Sequence, residues 1–207
     1  MAQGTPETWR FDAASVKTIR VSAGAGPIEL KTAPGPDIKA SLSGEYEPDA
    51  CEITAEVRGE ELVLEARGRK KGFWSWRRQN CRAGFSVSAP ADKPLIIKNG
   101  AGDVRIGDFT AGADIASGAG RVELARTSGP LKISSGAGSI SGELYSEDFK
   151  LSSGAGSTDL AWTKAPMAGR ISFYSGAGLI KLSFPGDSRL NIQHSTGAGS
   201  FRNGLGS

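Results

Sequence analysis

Apolar residues recur at fixed offsets around a short glycine tripeptide. Gly-Ala-Gly begins at Gly24, Gly100, Gly118, Gly136, Gly154, Gly176 and Gly197, and closes on Gly26, Gly102, Gly120, Gly138, Gly156, Gly178 and Gly199. Four positions after the first glycine stand Ile28, Val104, Val122, Ile140, Thr158, Ile180 and Phe201. Six after it come Leu30, Ile106, Leu124, Leu160 and Leu182, with Gly142 and Asn203 as exceptions. On the other side, three positions before, are Val21, Ile97, Ile115, Ile133, Leu151 and Phe173. Five before are Ile19, Leu95, Leu131, Phe149, Ile171 and Ile192, with Ala113 in the remaining copy. Alternation with period two on both sides of a tight turn predicts two half-buried strands per unit. The unit recurs every 18 residues from Gly100 to Gly154, then after 22 and 21. Self-similarity at such a period predicts an all-β fold, a parallel β-solenoid in which each strand-turn-strand unit is one coil.

Stacking explains the turn. Successive coils lie about 4.8 Å apart, so each turn position repeats above itself and its side chain must be small. Glycine there also supplies the positive φ of a corner, which makes the fourteen glycines of the seven triplets candidate structural turns. Valine at Ala137 is therefore expected to crowd the corner more than valine at Ser139. Just before each triplet runs a polar ladder of Asn99, Ser117, Ser135, Ser153, Ser175 and Thr196, whose hydroxyls or amide suit bonding to turn backbone. Five after it, Arg105 stands beside Glu123 and Asp159 beside Lys181, opposite-charge neighbours worth about 0.2–1 kcal/mol each.

Along the chain, residues 1–13 carry Trp9 and Phe11 and read as a tail or entry strand. Residues 14–98 form an N-terminal coil carrying an insertion, and 99–207 the solenoid repeats, as one continuous folding unit. The insertion reads as an antiparallel hairpin: Ile53, Ala55 and Val57 alternate, Arg58-Gly59-Glu60 turns, and Leu62, Leu64 and Ala66 return. Phe85, Val87 and Ala89 make a further strand. Hairpin geometry brings Cys51 to the same end as the segment holding Cys81, which predicts a disulfide and an oxidising compartment. Two free thiols in a cytosolic protein are the alternative.

Charge changes the picture only where it is located. The formal net charge is +3, and seven basic residues lie between Arg67 and Arg82 with no acid among them. Without those seven the chain would carry −4. Phe73, Trp74 and Trp76 are interleaved with them. Basic side chains mixed with tryptophan suit anionic polymers, lipid headgroups or glycans. Arg69, Lys70, Lys71, Phe73, Trp74, Trp76, Arg77 and Arg78, within the loop 67–84, are the candidate binding residues. The structural alternative is a long hairpin whose aromatics pack on the solenoid while its arginines extend to water. A second, decorated loop follows the Gly154 coil at Trp162, Lys164, Pro166 and Met167, and His194 reads as part of a polar capping coil.

Catalytic chemistry is not expected. His194 is the only histidine, so no nucleophile–base pair forms around it, and it is poorly placed to join two cysteines in a zinc site. Calcium β-rolls need an aspartate in each turn, but Asp103 is followed at its register by Arg121, Ser139 and Ser157. The glycines are no phosphate loop, lacking a following helix and a Lys-Ser/Thr pair. No cofactor is expected. No run approaches the ~20 apolar residues of a membrane span. Met1-Ala-Gln-Gly reads as a start placed on a mature sequence whose signal peptide was removed.

The Ser-Gly-Ala-Gly-x-[Ile/Val]-x-Leu coils, with Phe85-Ser-Val-Ser-Ala-Pro90 leading into Leu95-Ile-Ile-Lys-Asn-Gly-Ala-Gly102, resemble the bacterial "putative adhesin" β-solenoid family. That is an envelope-associated domain of unknown function, and the resemblance covers residues 16–203. It implies a secreted, periplasmic or surface protein, in some members linked to envelope stress, and it carries no catalytic residues. The expected function is a non-enzymatic extracytoplasmic scaffold or adhesin. The rivals are an envelope or membrane-stress sensor binding anionic surfaces through 67–82, and a self-associating fibre unit joined end to end. Lipid headgroups, lipopolysaccharide, glycans or a protein are the expected partners, rather than nucleic acid.

Overall fold

The structure is a computed structural model and describes residues 7–69 and 81–198. Its strands are β1 (Thr8–Asp12), β2 (Thr18–Ala25), β3 (Ile28–Thr32), β4 (Asp37–Ser43), β5 (Cys51–Arg58), β6 (Glu61–Gly68) and β7 (Gly84–Ala89). They continue as β8 (Leu95–Ala101), β9 (Val104–Ile106), β10 (Ala113–Ser128), β11 (Leu131–Tyr145), β12 (Asp148–Trp162), β13 (Gly169–Ser183) and β14 (Leu190–Ala198). The predicted parallel β-solenoid is what forms. From β8 to β14 every coil pairs in parallel with the next, residue over residue: Ile115 lies between Ile97 and Ile133, and Leu151 between Ile133 and Phe173. The inward positions of the repeat form one apolar core, with Val21, Ile97, Ile115, Ile133, Val104, Val122 and Phe149 all fully buried.

The corners differ from a chain-reversing turn. In β10 to β13 the strand runs through Gly-Ala-Gly without a break, because the stacked corners keep their parallel ladder from coil to coil. Two glycines share the work. The third of each triplet from Gly102 to Gly178 adopts positive φ (Gly120 121°, Gly138 139°, Gly178 134°). The first sits so close to the coil below that a Cβ on Gly176 would stand 2.6 Å from the Gly154 carbonyl oxygen. The alanine between them is exposed in every one of the coils from Ala101 to Ala177, so the expected crowding at Ala137 is corrected: the corner has no room at its glycines, not at its alanine. In the ladder behind the corner, Asn99 does bond turn backbone, its Nδ2 donating to the carbonyls of Gly26 and Gly102, 3.1 Å each. The outward charge pairs also form, Arg105 Nε to Glu123 Oε2 and Lys181 Nζ to Asp159 Oδ2, at 3.3 Å each.

The insertion is built into the stack. β5 and β6 make the predicted antiparallel hairpin, but β6 also pairs in parallel with β2, and β7 in parallel with β3. Together β6 and β7 therefore add a coil on one side of β2–β3, while β8–β9 stacks on the other. Stack order and chain order differ at this point. Antiparallel strands close this end: β5 beyond β6, and β4 then β1 beyond β7. β1 turns Trp9 and Phe11 toward the core, with Trp9 6.3 Å from Phe85 between ring centroids.

Candidate functional site

The basic segment occupies a corner. Ala23 of β2 pairs with Ala66 of β6, and Ile28 of β3 with Phe85 of β7. Between Ala23 and Ile28 lie four residues, Gly24-Ala-Gly-Pro27. Between Ala66 and Phe85 lie eighteen, residues 67–84. The segment is thus a Gly-Ala-Gly corner of the outer coil expanded by fourteen residues. Lys70, Lys71, Phe73, Trp74, Trp76, Arg77 and Arg78 lie outside the described residues, and Arg69 is exposed at the end of β6.

Both feet of the expanded corner are fastened. Cys51 and Cys81 form the predicted disulfide, with Cα atoms 5.3 Å apart. Cys81 also bridges antiparallel to Tyr46, and the Arg69 and Arg82 amides donate to the carbonyls of Ala50 (2.8 Å) and Glu45 (3.1 Å). Segment 45–52, against which both feet rest, carries Glu45, Glu47, Asp49 and Glu52 and no base. Arg67 reaches Glu65 at 3.1 Å and Glu52 at 3.7 Å. The arrangement sets an acidic strip beside Arg67, Arg69 and Arg82, with the Cys81 end of the segment held by a covalent bond and the Arg69 end by a backbone hydrogen bond. From its foot at Glu65 and Arg67 a shallow groove of about 610 Å³ runs along the glycine corners, past Lys98 to Ser134 and Ser152.

The second decorated loop is divided: Trp162 and Pro166 are buried, whereas Lys164 and Met167 are exposed. Trp162 is buried, packs at 5.1 Å on Phe149 and 4.4 Å on Phe184, and donates from its indole nitrogen to the Ser146 carbonyl at 3.0 Å. Glu147 clamps the loop that follows. Its carboxylate accepts from the amides of Met167 (3.0 Å) and Ala168 (3.1 Å) and from the Tyr145 hydroxyl (2.8 Å). Those donors, the Met167 amide foremost and then the Tyr145 hydroxyl, hold the Glu147 carboxyl below its ordinary range against the opposing effect of burial. The same bond holds the Tyr145 phenol above its ordinary value. Thr163, Lys164, Met167 and Ala168 face solvent, Met167 at 57% exposed. This clamp was not read from the sequence, since neither Tyr145 nor Glu147 belongs to the repeat.

His194 lies over Phe173 in register, with the two rings stacked at 5.7 Å. Among the described residues no group of three or more His, Cys, Asp or Glu could hold a metal ion. No helix among them is long and apolar enough to cross a membrane.

No protein-family model matches the chain, and no curated protein sequence does. Solved structures similar to it include "a putative cell adhesion protein" from Clostridium sporogenes, at 15% identity over 92% of this chain and 99% of that one, with a TM-score of 0.43. "A putative adhesin" from Bacteroides fragilis is 16% identical over 93% and 98%, with a TM-score of 0.34. A "putative lipid binding protein" from Parabacteroides distasonis is 12% identical over 95% and 96%, with a TM-score of 0.29.

Proposed function

We propose that this chain is a non-enzymatic, adhesin-like β-solenoid scaffold of the extracytoplasmic side of a bacterial envelope, which meets anionic surfaces through its expanded corner. The observation that carries the reading is the Cys51–Cys81 bond at the foot of that corner. A disulfide persists in oxidising compartments, and this one ties the C-terminal end of the most cationic, tryptophan-rich stretch of the chain to β5. Fastening the feet lowers the entropy lost when such a segment engages a partner. Lipid headgroups, lipopolysaccharide and acidic glycans share the anionic chemistry this stretch suits, and Trp74 and Trp76 add stacking or apolar contact that salt does not screen.

The test is binding to anionic vesicles, lipopolysaccharide and acidic glycans at low and physiological salt. Beside the wild type stands a variant with Arg69, Lys70, Lys71, Arg77 and Arg78 changed to Ser. The wild type is expected to bind at least one of the three, more weakly as salt rises, and the variant to lose that binding. Equal binding by both, or binding by neither, overturns the reading.

A further inference from the structure

Asn99 and the serines stacked on it occupy one register inside the wall, yet they are bonded differently. Ser117 pairs in register with Asn99 on one side and Ser135 on the other, and Ser153 and Ser175 continue the line. All five are buried, none more than 7% exposed. The Asn99 amide nitrogen spans two glycine carbonyls, Gly26 of the coil below and Gly102 of its own. For Ser117 the corresponding carbonyls are those of Gly102 and Gly120, but its shorter side chain does not reach them. Ser117 Oγ, Ser135 Oγ and the other oxygen of the asparagine, Asn99 Oδ1, have no hydrogen-bond partner within the protein. A buried polar atom left in that state costs about 1–3 kcal/mol, so two hydroxyls and an amide oxygen in a row call for a partner.

Neighbouring ladder oxygens cannot satisfy one another directly, because coils lie about 4.8 Å apart and a hydroxyl bond spans about 2.8 Å. A water placed between two of them reaches both at about 2.8 Å, with an angle at its oxygen close to tetrahedral. Space for it follows from the side chains. A serine lacks two heavy atoms of the asparagine in the same register, which leaves room on the order of one water, about 30 Å³ in the liquid. The glycine carbonyl that Asn99 Nδ2 would otherwise take supplies the third partner such a water needs.

We propose that a file of ordered waters runs inside the solenoid behind the glycine corners, bridging Asn99 Oδ1, Ser117 Oγ and Ser135 Oγ in turn. Asn99 ends the file because its own amide takes the place of a water. The serines then serve the wall as water ligands, and an asparagine ladder would be its dry equivalent.

Oxygen-17 relaxation dispersion counts long-lived internal waters in solution, and it is applied to the wild type and to the double variant Ser117→Asn, Ser135→Asn. The expected result is a loss of two long-lived waters with the cooperative thermal transition kept. A crystal structure of the wild type, at a resolution that shows ordered water, is expected to show density midway between Ser117 Oγ and Ser135 Oγ. An unchanged water count in a folded double variant overturns the file. So does a crystal structure with direct serine–carbonyl bonds and no density between the hydroxyls, which decides the matter even if the variant fails to fold.

Discussion

Three residues of each corner look alike in the sequence and do different physical work. Gly138 combines a φ of 139° with a coil below that leaves no room for a Cβ. Gly138→Ala therefore combines backbone strain of about 1–3 kcal/mol with overpacking of about 1–3 kcal/mol. It is expected to destabilise the protein by at least about 2 kcal/mol in a denaturant titration. Ala137, one residue earlier, is exposed, so Ala137→Val is expected to change stability by no more than about 0.5 kcal/mol. A larger loss at Ala137 than at Gly138 would contradict the corner described here. Period-two alternation told which residues enter the core on either side, from Ile115 to Leu124, because strand side chains obey it. It could not say which way Ala137 points, since the positive-φ bend within the triplet interrupts the alternation. The polar ladder was legible as a ladder, whereas the difference between Asn99 and Ser117 depends on reach, which a sequence does not show.

At the scale of elements, the hairpin and the disulfide were both readable, from alternation and from hairpin geometry. The coil made by β6 and β7 was not, because its corner holds residues 67–84 where the other coils hold Gly-Ala-Gly, so the period is broken where the stack is not. That corner depends on the disulfide, which closes a separation of 30 residues. The double change Cys51→Ser, Cys81→Ser is expected to cost about 3–4 kcal/mol in the chain-entropy model, read as a lower denaturant midpoint than that of the oxidised wild type. Equal midpoints would mean that the β5–β6 hairpin alone holds the feet of the corner. The Glu147 clamp makes a pH-dependent contribution of the opposite kind to a histidine switch. Its folded pKa lies below the unfolded one, so its stabilisation is present above the ordinary glutamate range and is lost as pH falls through the folded value. Glu147→Gln is expected to lower the melting temperature at about pH 7, with the gap to wild type narrowing as pH falls below the ordinary glutamate range. A gap independent of pH would show that the side chain acts by shape rather than by charge.

Taken whole, the molecule is asymmetric in charge and in its ends. β5 and β1 close one end with edges that carry Glu52, Glu56 and Arg58, and Arg10 and Asp12, the kind of charged edge that discourages pairing with another chain. Next to that end stands the expanded corner, which holds all seven cations of residues 67–82. Set apart from them, the rest of the chain carries −4. An anionic surface would then attract one corner and repel the remainder, over the ~8 Å that physiological salt leaves unscreened, so binding should be oriented as well as salt-sensitive. The stack itself suggests how to separate this contact from the fold. Replacing residues 67–83 with Gly-Ala-Gly, and Cys51 with Ser because its partner is lost, restores between Ala66 and Phe85 the four-residue spacing that links Ala23 to Ile28. The shortened protein is expected to keep its β-rich circular dichroism and a cooperative transition, since β6 and β7 retain their parallel partners β2 and β3. Its affinity for anionic vesicles is expected to vanish at physiological salt, and its net charge to be negative. Retained binding would place the contact elsewhere on the solenoid. Loss of the cooperative transition would mean that residues 67–83 are part of the core, with Trp74 and Trp76 as packing and not as a contact.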